Sequence, residues 1–324
     1  MDKGYSTLTA ERAVDTFRPL ALTPSQDLEG YVLTHLGRAV LFLVACTSAI
    51  AIFLIFLFVI REAIGFVRTE SLAELLTKTG WYPQAEPGKF GALAIVVGSL
   101  YVTAASLVFA VPIGILAAIC LSDILSFRFR GIAKPVIELL AAIPSVAYGF
   151  FAVLVFAPFL QNKLGFSTGT NALNSGMILA VMALPTIISV AEDSISVLGR
   201  ELREASYSLG ATRMETMFKV VIPAAHSGII AAVVLGMMRA IGETMVVWMA
   251  SGNAAQIPHP WWDISQSVRT MTATIAGEMG ETPKDTSHYY ALFMMGVMLL
   301  VMTFLLNIVS EYFLSRAKKS SGRS

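Results

Sequence analysis

The run AVLFLVACTSAIAIFLIFLFVI, residues 39–60, decides the fold class. Its 22 residues include no charged side chain. As a helix it is about 33 Å long at 1.5 Å per residue, enough for the roughly 30 Å hydrocarbon core of a bilayer. Five further apolar blocks follow, at 92–121, 135–159, 172–191, 224–250 and 289–313. Lipid offers no water to pair with backbone N–H and C=O groups, so each block is read as a helix, which satisfies them within one segment. Barrel strands would alternate over about ten residues, whereas these runs are continuous. Pro112, Pro144 and Pro185 lie inside blocks, where neighbouring helices can satisfy the freed carbonyls. The expectation is an all-α integral membrane protein with six spans.

Residues 1–36 read as a polar tail broken by Pro19 and Pro24, 37–314 as the transmembrane domain, and 315–324 as a basic tail. The apolar run begins too late and is too long for a signal peptide. Between the spans, the reading places a soluble loop at 61–90, a short basic loop at 122–134, a charged segment at 192–223 and a long loop at 251–288.

Composition narrows the function. Charged residues make up 14% of the chain and hydrophobic residues 56%. Ordinary globular domains carry roughly 25% charged residues, so a soluble enzyme is a poor fit. Net charge is +1, which gives no reason to expect nucleic acid. Cys46 and Cys120 are the only cysteines and lie in apolar blocks, too few for a disulfide framework or a thiolate metal site. The four histidines show no zinc spacing, and no metal site is expected. The pattern GxxxxGK[ST] is missing, so no P-loop is expected in the chain.

Lysine and arginine set the expected orientation. With the N-terminus inside, 15 fall in inside segments and 7 in outside loops, and Arg239 lies within a span. That excess favours both termini in the cytoplasm.

The segment between spans 4 and 5 reads Glu201-Leu202-Arg203-Glu204-Ala205-Ser206-Tyr207-Ser208-Leu209-Gly210-Ala211-Thr212-Arg213-Met214-Glu215. Helix formers run to Leu209, and Gly210 suits a helix end with positive φ. Thr212 and Glu215 have the spacing of a capping box, so a second helix starts at once. Pro223 is expected to open span 5, where its missing N–H costs little. A short exposed helix joined rigidly to two spans is a good lever for a partner, although a solvated loop with no partner has the same local features.

Arg239 and Glu243 are ionisable groups within the predicted span 5. Arg239 stands about 22 Å above the start of the span at 1.5 Å per residue, past the middle. A charge there costs roughly 2.5–3.5 kcal/mol on insertion scales, so neither group should face lipid. At four residues apart they are expected on one helical face. They could be a self-contained pair gluing helices together, or part of an anion path. For the path, Arg239 offers a planar fork for two oxyanion oxygens. Glu243 could accept a hydrogen bond from a protonated phosphate oxygen, which sulfate lacks near neutral pH.

Glu204-Ala205-Ser206, Gly210 and Ile222-Pro223 resemble the EAA motif of ABC-importer permeases. One departure stands out: Ser206 in place of alanine. Lys134 to Leu140, Ile143 to Phe150, Leu184-Pro185-Thr186, Glu192-Asp193-Ser194, Arg239 to Thr244 and Ser287 to Leu292 are similar to the phosphate-importer permeases of the PstC type. The resemblance covers about 91–310. It implies a six-helix type I ABC-importer transmembrane domain with a cytoplasmic coupling helix, in the bacterial cytoplasmic membrane. It implies that Glu204, Ala205, Gly210 and Pro223 couple to an ATPase, and that Arg239 and Glu243 line the path of phosphate. The implied partners are a related PstA-type permease, a dimer of PstB-type ATPase subunits that binds ATP and magnesium, and an extracytoplasmic PstS-type phosphate-binding protein. The chain itself is expected to hold no cofactor and to catalyse no covalent step. Two alternatives stay open: another oxyanion or small polar solute as cargo, and a secondary transporter.

Overall fold

A computed structural model describes residues 24–320. The first 23 residues of the predicted N-terminal tail and the last four of the C-terminal tail lie outside the described residues. Six described helices are long and apolar enough to cross a membrane.

The first helix, α1, runs Pro24–Thr69. It is longer at both ends than the predicted span. The part up to Phe58 clusters as a unit by itself. Leu41, Phe42, Leu43 and Phe53 there are well exposed, as side chains that face lipid should be.

The rest, Val59–Ser324, forms the second unit. The predicted soluble loop contains a short helix, α2 (Leu72–Thr77), and a hairpin of β1 (Trp81–Tyr82) and β2 (Lys89–Phe90) paired antiparallel, Trp81 opposite Phe90. Both rings are buried and meet edge to face at 6.1 Å. Span 2 is α3 (Leu93–Ile119), extended by a π turn at Cys120–Ile124.

The expected basic loop is mostly helical: α4 covers Phe127–Ala142. Span 3 begins later than predicted, as α5 (Ser145–Phe151), a π turn (Ala152–Phe156) and α6 (Ala157–Leu164). The cause is Pro144. A proline pushes the preceding residue out of the helical region, and Ile143 is extended with ψ 128°. Span 4 is α7 (Ala172–Ser196), capped by the Asn171 side chain.

The charged segment folds into α8 (Arg200–Ser208) and α9 (Arg213–Thr216). A π turn (Met217–Val221) then leads without a break into α10 (Ile222–Ile241), the body of span 5. Pro223 therefore does not open a helix. The wide turn lies just ahead of it, where a proline cannot donate a hydrogen bond; the π turn of span 3 precedes Pro158 in the same way. Span 5 also ends sooner than predicted. After Gly242–Thr244 a separate short helix, α11, covers Met245–Ala250. The long loop contains α12 (Met271–Glu278), and span 6 is α13 (Ser287–Ser320).

Spans 2, 4 and 5 form the tightest part of the second unit. Ile187 of α7 wedges between them where Gly114 of α3 and Gly236 of α10 leave room; a Cβ on either would stand 2.7 or 2.5 Å from its side chain. Small residues let helices approach closely in a medium that gives no hydrophobic drive between them. The connections fall at two ends. One end, here the hairpin end, carries 70–92, 165–171 and 242–286. The other, the elbow end, carries 125–144 and 197–212.

Candidate functional site: an elbow and a broken span

The elbow is built from local signals. Gly210 ends α8 at φ +82°. Its N–H reaches Tyr207 O at 2.9 Å, and the Ala211 N–H reaches Ser206 O at 3.3 Å. Thr212 Oγ1 then accepts from the Glu215 N–H, and Glu215 Oε2 accepts from the Thr212 N–H at 3.0 Å, which completes the capping box. Ser206 and Thr216, both buried, join the two helices through hydroxyls 2.8 Å apart. That contact explains the place of the polar Ser206: an alanine could not reach Thr216. Glu204, Ala205, Gly210 and Pro223, the four residues predicted to couple, are all exposed.

Arg203, on the other side of α8, uses all five of its donors. Nε donates to Asp123 Oδ1 at 2.8 Å and Nη2 to Oδ2 at 3.2 Å. The remaining N–H groups reach the carbonyls of Ile195 at 3.3 Å, Gly199 at 3.4 Å and Leu198.

A second charge network lies at the elbow end, between α4 and α7. Glu192 is fully buried. Its carboxylate accepts from Arg130, from Lys134 at 2.7 Å and from Ser196 at 2.7 Å, and Lys134 also reaches Asp193 at 2.7 Å. Two stretches that the sequence shows as separate motifs, around Lys134 and around Glu192, are therefore one structural site. Glu138 stays exposed beside it.

The middle of the molecule differs from the simple one-face expectation. Arg239 is in the last turn of α10, but Glu243 is past the helix end, in the Gly242–Thr244 junction. Among the described residues the two make no ion pair. Arg239 Nε is buried without a hydrogen-bond partner, and the guanidinium is near enough to act electrostatically on Tyr148. Glu243 Oε1 accepts from the Thr244 N–H at 3.3 Å, and its carbonyl accepts from Thr272 Oγ1 at 2.8 Å.

That last bond brings in α12, a helix inside the long loop expected at 251–288. Its cap, Thr270, accepts from the Ala273 N–H, and the Met271 N–H donates to Ser99 Oγ of span 2 at 2.9 Å. Gly98 permits the approach, since a Cβ there would stand 2.2 Å from Arg269 O. Ser99, Thr103, Thr270, Thr272 and Glu243 surround a cavity of about 10 Å³, room for about one water. A hydroxyl-rich patch thus lies directly beyond Arg239 at the break in span 5. The only sequence cue for α12 was Thr270 ahead of a small, uncharged run to Gly277.

At the hairpin end Glu278 gathers three elements. It accepts from Trp81 Nε1 at 3.0 Å and Arg269 Nη2 at 2.5 Å, and His288 Nε2 lies 2.8 Å from it. The neighbouring loop is braced by Asp263, which accepts from Ser265 Oγ at 2.5 Å and Gln266 Nε2 at 2.8 Å. These bonds hold the carboxyl below the usual carboxylate range, the Ser265 side chain contributing most.

Six crossing helices, an exposed helix–turn–helix elbow between the fourth and fifth, and a fifth span broken next to an arginine whose Nε is buried define a multi-pass permease of the ABC-importer kind. Residues 110–319 match the family described as binding-protein-dependent transport system inner membrane component. The chain belongs to that family, whose members are inner-membrane permease subunits of ABC importers. It is 39% identical over 279 residues to the probable ABC transporter permease protein YqgH of Bacillus subtilis, covering 86% of this chain and 88% of that protein. It is 37% identical over 268 residues to the phosphate transport system permease protein PstC of Mesorhizobium japonicum, covering 76% and 80%. Similarity to PstC 1 of Mycobacterium tuberculosis is 30% over 296 residues, covering 80% and 86%. The inward-facing MetNI methionine ABC transporter shares the fold, with a TM-score of 0.55 at 18% identity over 72% of this chain and 99% of that chain. The predicted type I ABC-importer fold is the observed one.

Proposed function

We propose that this permease carries inorganic phosphate. A related PstA-type permease forms the other half of the path, a PstS-type protein delivers the anion, and a PstB-type dimer binds ATP and magnesium. The observation that carries the reading is the state of Arg239. A self-contained Arg–Glu glue pair would be joined, yet Arg239 has a buried Nε without a partner and no ion pair with Glu243. A guanidinium held in this way retains donors for an oxyanion, and the hydroxyls around Glu243 offer the next station. The names of the PstC relatives support phosphate as cargo. Glu204, Ala205 and Gly210 form the surface the ATPase grips, which makes the elbow end and both termini cytoplasmic. The second reading is another oxyanion or small polar solute, favoured by the YqgH relative, whose name gives no cargo.

The test is uptake of labelled phosphate by the reconstituted complex with saturating binding protein and ATP. Arg239→Gln should abolish most uptake, Arg239→Lys should recover only part of it, since an ammonium lacks the planar fork, and Arg239→Gln/Glu243→Gln should stay defective, since no cation is left for the anion. Normal uptake by the double variant would return Arg239 to a packing role. For orientation, a cysteine at Gln256 should react with an impermeant reagent from outside and one at Ser208 should not; the reverse pattern would remove the ATPase surface.

A further inference from the structure

We propose that Arg203 and Asp123 form the strut through which movement of α8 reaches spans 2 and 4. The proposal rests on the reading of the elbow as the ATPase surface. Most side chains of α8 point to solvent; the two that turn inward are Arg203 and Ser206, three residues apart on one face. Ser206 holds Thr216 and so ties α8 to span 5. Arg203 ties it to the other two spans at once. Its fork takes both oxygens of Asp123, in the π turn that ends span 2, and it donates to Ile195, in the last turns of span 4, and to Leu198 and Gly199 beyond it.

Two features make this a strut rather than a surface ion pair. The side chains are only 14% and 18% exposed, so the pair is shielded from salt and competing water. The pairing is bidentate and all five donors are used, which fixes the angle of α8 as well as its distance. Ile195, in the last turn of span 4, offers a carbonyl of the kind that a helix end leaves without an intrahelical partner. A push on α8 therefore has no slack to absorb before spans 2 and 4 move. Sequence gives no hint of the pairing, because Asp123 is 80 residues away.

The experiment measures ATP hydrolysed per phosphate moved in the reconstituted complex, together with a cross-link from Tyr207→Cys to the ATPase subunit. Tyr207 is exposed on α8 and is outside the strut. Arg203→Met should keep the cross-link and the basal ATPase while raising the ATP-to-phosphate ratio about tenfold, the scale of a lost charge-assisted bond. Asp123→Asn, which keeps an acceptor, should raise it less, and Arg203→Lys should fall between. A purely structural staple would lower hydrolysis and uptake together as assembled complex is lost, leaving the ratio unchanged. If Arg203→Met does not assemble, Arg203→Lys and Asp123→Asn are read on the same ratio. An unchanged ratio with the cross-link intact overturns the strut alone. No cross-link in the otherwise unaltered complex overturns the ATPase surface, and the strut with it.

Discussion

Glu192 is the residue whose surroundings yield the sharpest quantitative expectation. Its side chain is 1% exposed, whereas Arg130 and Lys134 are 32% and 31% exposed. The carboxylate therefore depends on the cations more than they depend on it. Removing one cation, as in Arg130→Met, leaves the other to neutralise Glu192 and costs the charge-assisted hydrogen bonds to Glu192 and Ser196, about 1.5–3 kcal/mol each. Removing both, in Arg130→Met/Lys134→Met, strands a desolvated charge, and breaking a buried pair in that way costs about 3–5 kcal/mol. Glu192→Gln should be milder than the double variant, because both cations reach water and Lys134 keeps Asp193. The order of thermal midpoints in detergent should be unaltered protein, then Glu192→Gln and Arg130→Met, then the double variant well below both. Midpoints can be read as the fraction still monodisperse after heating. Adding Glu192→Gln to the double cation variant should raise its midpoint, since the stranded charge is gone. If Glu192→Gln is as damaging as the double variant, or the triple variant is the worst of all, the argument from unequal burial is wrong.

Other expectations follow from single contacts. Gly210→Val has no neighbour within 4 Å to strike, so its cost is that of a left-handed backbone alone, about 1–2 kcal/mol; amide exchange at Gly210 and Ala211 should quicken about tenfold, while Gly210→Asn should change it little. Gly98→Ala drives a Cβ against Arg269 O and should loosen α12 from span 2, which faster exchange of the Met271 amide would report. Asp263 is held below the usual carboxylate range by its hydrogen bonds to Ser265 and Gln266, so its brace is complete above the ordinary aspartate value of about 3.9 and is lost as pH falls through the lower folded value. Fluorescence of Trp261 and Trp262, with Trp81 and Trp248 replaced by phenylalanine, should stay constant from neutral pH down to about 4 and change only below it; in Asp263→Ala the acid step should vanish.

What the sequence determined by itself is whatever depends on a short window of chain. Crossing a membrane is a transfer free energy summed over about 20 neighbouring residues, so six spans were legible from apolar runs alone. The Gly210 turn and the Thr212–Glu215 box were legible for the same reason: a left-handed backbone and a capping bond involve residues at most three apart. Span limits were less so. The break at Pro144 followed a rule available from sequence, that a residue before proline leaves the helical region, whereas the interruption at Gly242–Thr244, where Thr272 of α12 holds the Glu243 carbonyl, appears only in the structure. Only the tertiary structure decided which charges meet. Glu192 could have served any cation near the elbow end, and helix packing selected Arg130 and Lys134, about 60 residues away. Glu278 with Trp81, and Arg203 with Asp123, are the same case. An intramembrane or interfacial charge announces a need for a partner through its desolvation cost, and that cost is the same whichever partner meets it. The geometry of packed helices makes the choice, and no local pattern encodes it.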